Sequence, residues 1–119
     1  MEGSILQNVR EILIGDKDDT VFDEDLKIFI NSAFNTLTQI GVGPDTGFVI
    51  TGDTETWSDF TNDNVLLEKV KAYIVLKVRV LFDPPSSSFV LEAYNKEIAE
   101  MEWRLNVVVD DQTGGQTNG

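Results

Sequence analysis

The chain has 119 residues, with 9 lysines and arginines against 21 aspartates and glutamates, for a net charge of −12. This length corresponds to one domain, and a hydrophobic fraction of 41% suffices for a small compact core. Because cysteine and histidine are both absent, disulfides, thiolate nucleophiles, Cys/His zinc sites and imidazole-based triads are excluded. A general electrostatic attraction to DNA or anionic lipid is excluded too, since both are polyanions.

The negative charge is concentrated in the first half of the chain. Residues 1–63 carry three basic and thirteen acidic side chains, a net of −10, whereas residues 64–119 carry six and eight, a net of −2. Such clusters are typical of solvated loops and helix starts, or alternatively of one acidic face of an assembly. We expect neither a membrane span nor a secretory signal, because no apolar run is long enough and the N-terminus has no basic region.

Two amphipathic helices are predicted before residue 41. The first covers about 3–14 and ends at a glycine. The second begins between Thr20 and Asp23, where either Thr20 forms a capping box with Asp23 or Asp23 itself caps the helix. The apolar residues at helical spacing are Ile5, Val9 and Ile12 in the first, and Leu26, Phe29, Ile30, Ala33, Phe34, Leu37 and Ile40 in the second.

Residues 42–63 interrupt the helical pattern. Glycine, proline and aspartate mark turns at 43–45 and 52–53. Between these turns the apolar run 48–51 predicts a short strand, and 56–60 is either its hairpin partner or an extended flap. A connection of this length in a small domain is typically functional or mobile.

The second half predicts two further helices. Residues 64–82 are apolar on most sides, which is typical of a central helix, although the β-branched content leaves a buried strand as the alternative for 72–82. Two prolines at 84 and 85 end this element. A helix over 87–107 follows, and the polar, glycine-rich residues 110–119 predict a flexible tail. The coiled-coil-like seam of the helix over 87–107 comprises Leu91, Tyr94, Ile98, Met101 and Leu105.

These elements predict an all-α fold. We expect a four-helix bundle-like subunit with a long irregular loop or small β-hairpin between its second and third helices. A single helical domain would then cover residues 1–109, followed by the tail at 110–119.

No pattern in the chain points to catalysis or to a bound metal. Asp16, Asp18 and Thr20 begin like an EF-hand loop, but Val21 stands where the loop needs glycine and Lys27 where it needs glutamate. The other carboxylate clusters lie at turns and helix starts, where solvated carboxylates are common. We therefore predict that the protein is not an enzyme and has no catalytic residue, cofactor or metal site.

Aromatic and basic residues in and after the middle segment are candidates for a subunit interface. Those of the middle segment either fold back onto the helices or anchor a partner. Trp103 either covers the core or meets a neighbour, and the basic pair in the third helix either extends to solvent or pairs across a subunit boundary. The candidates are Phe48, Trp57, Phe60, Lys77, Arg79 and Trp103.

The order of several segments resembles phage head–tail connector proteins, which are DNA-packaging adaptors of long-tailed phages. Residues 81–89 (LFDPPSSSF) and 100–106 (EMEWRLN) carry the resemblance at the end of the chain. The earlier segments that agree are 23–34, 41–43 and 56–60, so the resemblance covers about residues 3–107.

The resemblance implies a structural subunit of the virion's head–tail junction, assembled in the host cytoplasm as a homo-oligomeric ring that matches the portal. Its implied partners are further copies of itself, the portal protein, and a head-completion or tail protein. DNA would pass without specific binding, and no membrane partner is expected.

A conduit for DNA should repel phosphate, so exposed carboxylates are candidates for its wall, within a screening length of about 8–10 Å. The candidate channel-lining residues are Asp16, Asp18, Asp19, Asp53 and Glu55. The alternative hypothesis, based on charge alone, is a small acidic DNA mimic or inhibitor that binds a basic partner.

Overall fold

The computed structural model describes the backbone of residues 3–118 and the side chains of residues 3–108. Its five helices, in chain order, are α1 (Ile5–Leu13), α2 (Asp23–Gln39), α3 (Trp57–Phe60), α4 (Asn64–Phe82) and α5 (Ser88–Asn118). No strand occurs within the described range, so the prediction of an all-α fold is confirmed.

Helix α4 lies at the centre of the bundle and packs against α1, α2 and α5. Its bounds agree with the predicted 64–82, and the strand alternative for 72–82 is wrong. Asp63 caps its first turn by accepting hydrogen bonds from two backbone amides. Its fully buried side chains include Val70, Tyr73, Ile74 and Val78.

The start of α2 differs from both predicted capping arrangements. Phe22 occupies the N-cap position without a side-chain cap, and Asp23 already belongs to the first turn of the helix. The Asp23 carboxylate instead binds the guanidinium of Arg10. The two parallel hydrogen bonds to arginine join opposite charges and use both carboxylate oxygens, which favours this arrangement over a cap on backbone amides.

The predicted strand at 48–51 is wrong, because an asparagine of α2 takes its hydrogen bonds. The Ile50 amide donates to Asn31 Oδ1 at 2.7 Å, and Asn31 Nδ2 donates to the Ile50 carbonyl at 3.0 Å. Ile50 is thereby held in the core without a strand partner. An isolated antiparallel bridge joins Ser4 to Thr56 instead.

Residues 56–60 form neither a hairpin strand nor an extended flap. They fold into the short helix α3, where the Thr56 amide donates to the Asp59 carboxylate at 2.8 Å. The connection between α2 and α4 is therefore irregular but folded.

Helix α5 begins as predicted and ends later than predicted. The Val90 amide donates to the Ser87 hydroxyl at 3.3 Å, and Ile98 and Leu105 of the predicted seam are buried. The helix continues to Asn118 instead of ending near residue 107, and no proline follows residue 85 to stop it. The domain limits at 1–109 and the flexibility of 110–119 stay predictions.

Candidate interaction surfaces

The aromatic residues of the middle segment pack inside the subunit. The Phe34 ring centroid of α2 lies 4.9 Å from that of Phe48 and 5.1 Å from that of Phe60. Trp57 is 1% exposed, and its indole Nε1 donates to Asn8 Oδ1 at 3.0 Å. Buried rings offer no surface to a partner, which corrects the expected interface position of Trp57 and Phe60. Phe48 is half-buried at the edge of the same cluster.

Gly43 lets the chain pass closely against this cluster. Its φ of +92° lies in the left-handed region, and a Cβ at this position would lie 2.5 Å from two ring carbons of Phe60. Only glycine satisfies both the backbone conformation and the available space. The turn after α2 therefore depends on the position of the Phe60 ring.

A buried arginine joins α1 to two acidic loops, residues 14–22 between α1 and α2 and residues 51–56 before α3. Arg10 is 2% exposed, and its guanidinium donates to both carboxylate oxygens of Asp23 at 2.8 and 2.6 Å. It also donates to Asp53 Oδ1 at 2.9 Å and to the Lys17 carbonyl at 2.8 Å. The hydrogen bond that Arg10 donates to Asp23 raises the pKa of Arg10 and outweighs the opposing effect of burial. Arg10 thus remains charged and holds the loops together.

The five candidate channel-lining carboxylates lie on the loops that Arg10 joins, and several have local roles. Asp16 and Asp19 each accept a hydrogen bond from a backbone amide two residues later. Glu55 accepts bonds from amides and a threonine hydroxyl in its own loop. Burial alone would raise the pKa of Glu55, but these hydrogen bonds prevail and lower it. Asp16, Asp18 and Asp53 remain exposed, and a position along a channel stays a prediction for all five.

Polar bonds fix the contact between α4 and α5. Glu102 Oε2 accepts from the Tyr73 hydroxyl at 2.7 Å and from Lys77 Nζ at 3.3 Å. Lys77 therefore has an acidic partner within the subunit, and a contact across a subunit boundary stays a prediction. Burial, together with the hydrogen bond to Glu102, raises the pKa of Tyr73. Asn106 also donates to the Ile40 carbonyl at 3.1 Å, so α5 is tied to the end of α2 as well.

An apolar groove lies between the first half of α4 and the middle of α5. Its volume is about 420 Å³. Trp103 stands at this groove with 65% of its side chain exposed. Arg79 is half-buried and lies two turns after Ala72 on α4, near the exposed Ile12. The groove residues are Lys69, Ala72, Glu97, Met101, Trp103, Arg104, Leu105, Val107 and Val108.

Among the residues that the structure describes, no group of acidic, histidine or cysteine side chains is arranged to hold a metal ion. None of the helices in the described range is long and apolar enough to cross a membrane. No buried polar side-chain atom in the described part lacks a hydrogen-bond partner.

Sequence reasoning missed two residues that organise these surfaces. Arg10 lies four positions after Leu6 and one after Val9, on the buried face of α1, which is an informative place for a charged residue. Asn31 follows Ile30 on the predicted stripe of α2 and gave no local signal, because its partner Ile50 is 19 residues away.

Comparison with known proteins identifies one family. A family model described as phage connector protein matches residues 5–112. No curated protein and no solved structure matches the chain. The match covers nearly all of the helical bundle, including both acidic loops and the groove. The chain therefore belongs to the phage connector protein family.

Proposed function

We propose that this protein is the head–tail connector subunit of a tailed phage or prophage, which forms a ring under the portal. In this role the ring extends the DNA channel and offers a platform to a head-completion or tail protein. Family membership over residues 5–112 is the observation that carries the proposal. The site of action is the head–tail junction of the virion, reached after assembly in the host cytoplasm.

The distribution of charge supports a passage for DNA. Asp16 and Asp18 are exposed on the turn between α1 and α2, and Asp53 is exposed on the loop that Arg10 ties to it. Carboxylates on these loops repel phosphate over about 8–10 Å, so DNA slides past without being retained. The channel wall of the proposed ring is formed by this acidic side of each subunit.

Size-exclusion chromatography with light scattering tests the proposal, with the subunit alone over a range of concentrations and with purified portal protein. We expect a ring-sized species that co-elutes with the portal. A chain that stays monomeric and never binds the portal would overturn the connector role. Displacement of DNA from a basic protein by the monomer would support the acidic-inhibitor alternative instead.

A further inference from the structure

Residues 47–51 form a run whose side chains alternate between the core and solvent. The run contains no helix, turn or bend. Phe48 is half-buried and Ile50 is buried. Val49 and Thr51 are exposed, and 61% of Val49 is accessible to solvent. Because a period of two residues is the side-chain pattern of a β-strand, the run has the form of a single strand without a strand partner.

One side of this run is already paired. Asn31 of α2 accepts a hydrogen bond from the Ile50 amide at 2.7 Å and donates one to the Ile50 carbonyl at 3.0 Å. A residue of a neighbouring antiparallel strand exchanges the same two bonds. Since successive strand residues direct their backbone groups to opposite sides, the amide and carbonyl of Val49 are directed away from Asn31. Neither forms a hydrogen bond within the described part of the chain.

The side of the run that bears these backbone groups, called the Val49 edge below, lacks the usual protection of an exposed strand edge. Such edges are normally blocked by lysine, proline or a bulge, or covered by another element. Residues 48–51 contain no charged residue and no proline, and Val49 adds an exposed apolar side chain. An unpaired edge of this kind is a template for the backbone of another chain.

The charge around the Val49 edge determines which chain fits it. Residues 28–68 carry six acidic side chains and no lysine or arginine. Two cations from other parts of the chain approach this region: Arg10 pairs with Asp53 at 2.9 Å, and Lys71 lies over the Trp57 ring. The remaining charge is negative, so a second copy that presented the same edge would be repelled. An extended segment with basic residues at its ends would be attracted.

We infer that the Val49 edge binds an extended, basic-flanked segment of a different virion protein by β-augmentation. Two backbone hydrogen bonds at Val49 and a β-branched or aromatic side chain opposite it supply the contact. One such contact is weak, but a ring repeats the edge in every subunit, so a multivalent partner gains avidity. This inference rests on the proposed platform for a head-completion or tail protein and assigns that platform a surface.

Amide hydrogen exchange measured by NMR tests the Val49 edge in the full-length chain. The probe is a short acetylated peptide that alternates threonine with valine and carries lysines at both ends. Saturating peptide should slow exchange of the Val49 amide by about tenfold or more. The Ile50 amide should change little, because Asn31 already accepts its hydrogen bond. The matched peptide with glutamates at both ends should bind about tenfold more weakly.

Two substitutions at Val49 separate the role of the backbone from that of the side chain. Val49→Pro removes the amide hydrogen and should abolish peptide binding. Val49→Thr keeps both the amide and the β-branched shape and should retain the affinity within about threefold. Because Val49 is largely exposed, both variants should form the same ring and bind the portal like the wild type.

An unchanged Val49 amide in saturating lysine peptide would overturn the inference, as would equal binding of the glutamate peptide. Peptide binding that survives Val49→Pro would place the contact elsewhere. Protection of the Val49 amide that rises with protein concentration alone would make a second copy the occupant and overturn the choice of partner. A wild-type chain that forms no ring and binds no portal would overturn the connector role instead, and light scattering measures that failure separately.

Discussion

The middle segment 42–63 and helix α5 reverse the usual relation between regular structure and burial. The middle segment has one short helix, yet Val42, Ile50, Trp57 and Phe60 are buried in the core. Helix α5 is the longest helix in the described range, yet most of its described residues outside the seam are exposed. The irregular segment 42–63 therefore contributes to the hydrophobic core, whereas the regular helix α5 exposes most of its surface to solvent.

The reason for the difference is where the backbone finds its hydrogen bonds. A helix satisfies its own amides and carbonyls and can stand partly in water. An irregular segment can enter the core only if other groups satisfy its backbone, as Asn31 does for Ile50. Arg10 does the same for the Lys17 carbonyl in the preceding turn. Polar side chains of α1 and α2 thus attach both loops to the helices.

Replacing each of the two tryptophans with alanine should give the largest difference in unfolding free energy between the two regions. Trp57→Ala removes a ring that is almost fully buried and should cost about 3–5 kcal/mol of unfolding free energy. Trp103→Ala removes an exposed ring and should cost about 0.5 kcal/mol or less. Chemical denaturation followed by circular dichroism measures both. Equal losses would contradict the assignment of Trp57 to the core and of Trp103 to the surface.

The two arginines provide a second matched comparison. Arg10→Ala leaves Asp23 and Asp53 without their cation and should destabilise the chain by about 2–3 kcal/mol, less than for a fully buried pair because Asp53 is largely exposed. Arg104→Ala breaks only an exposed pair with Glu100 and should cost about 0.5 kcal/mol or less. Urea unfolding of both variants tests this, and a tolerated Arg10→Ala would remove the proposed link between the acidic loops.

Two asparagines of α2, Asn31 and Asn35, provide a matched test of the hydrogen bonds that hold Ile50. Asn31→Ala removes both hydrogen bonds to Ile50 and should cost about 2 kcal/mol. Asn35 is exposed on the same helix, so Asn35→Ala carries the same change in helix propensity without the anchor. The thermal unfolding midpoint of Asn35→Ala should equal or exceed that of the wild type. Similar midpoints for the two variants would show that Ile50 is held by packing alone.

The smallest expected effect concerns the attachment of α5. Tyr73→Phe removes the hydrogen bond to Glu102 and should cost about 1 kcal/mol at neutral pH. Because folding raises the pKa of Tyr73, its contribution is complete below the unfolded value of about 10 and is lost as pH rises from there toward the folded value. Tyr73→Phe should therefore weaken the alkaline loss of stability, whereas Tyr94→Phe should retain it. Unfolding curves between neutral pH and pH 11 decide the matter.

Sequence reasoning predicted the elements whose signals are local. The bounds of α4 followed from a long apolar run that two prolines end. The buried Ile98 and Leu105 of α5 followed from the coiled-coil-like spacing of its apolar residues. These features need only residues within one or two turns of each other.

The remaining features depend on contacts between distant residues. Asp53 is 43 positions from Arg10, and Asn8 is 49 positions from its partner Trp57. The run 48–51 has the composition of a strand, but tertiary contact with Asn31 prevailed over that local preference. The groove could not be predicted from the sequence either, because Lys69 and Ala72 of α4 form it together with residues of α5.

Hydrogen–deuterium exchange on the free subunit and on its complex with the portal tests the central claim most directly. Residues 42–63 should be protected already in the free subunit and change little on assembly. The described part of α5, together with the first half of α4, should gain protection when the ring forms. The opposite result, an unprotected middle segment that becomes ordered on assembly beside an unchanged α5, would contradict this account.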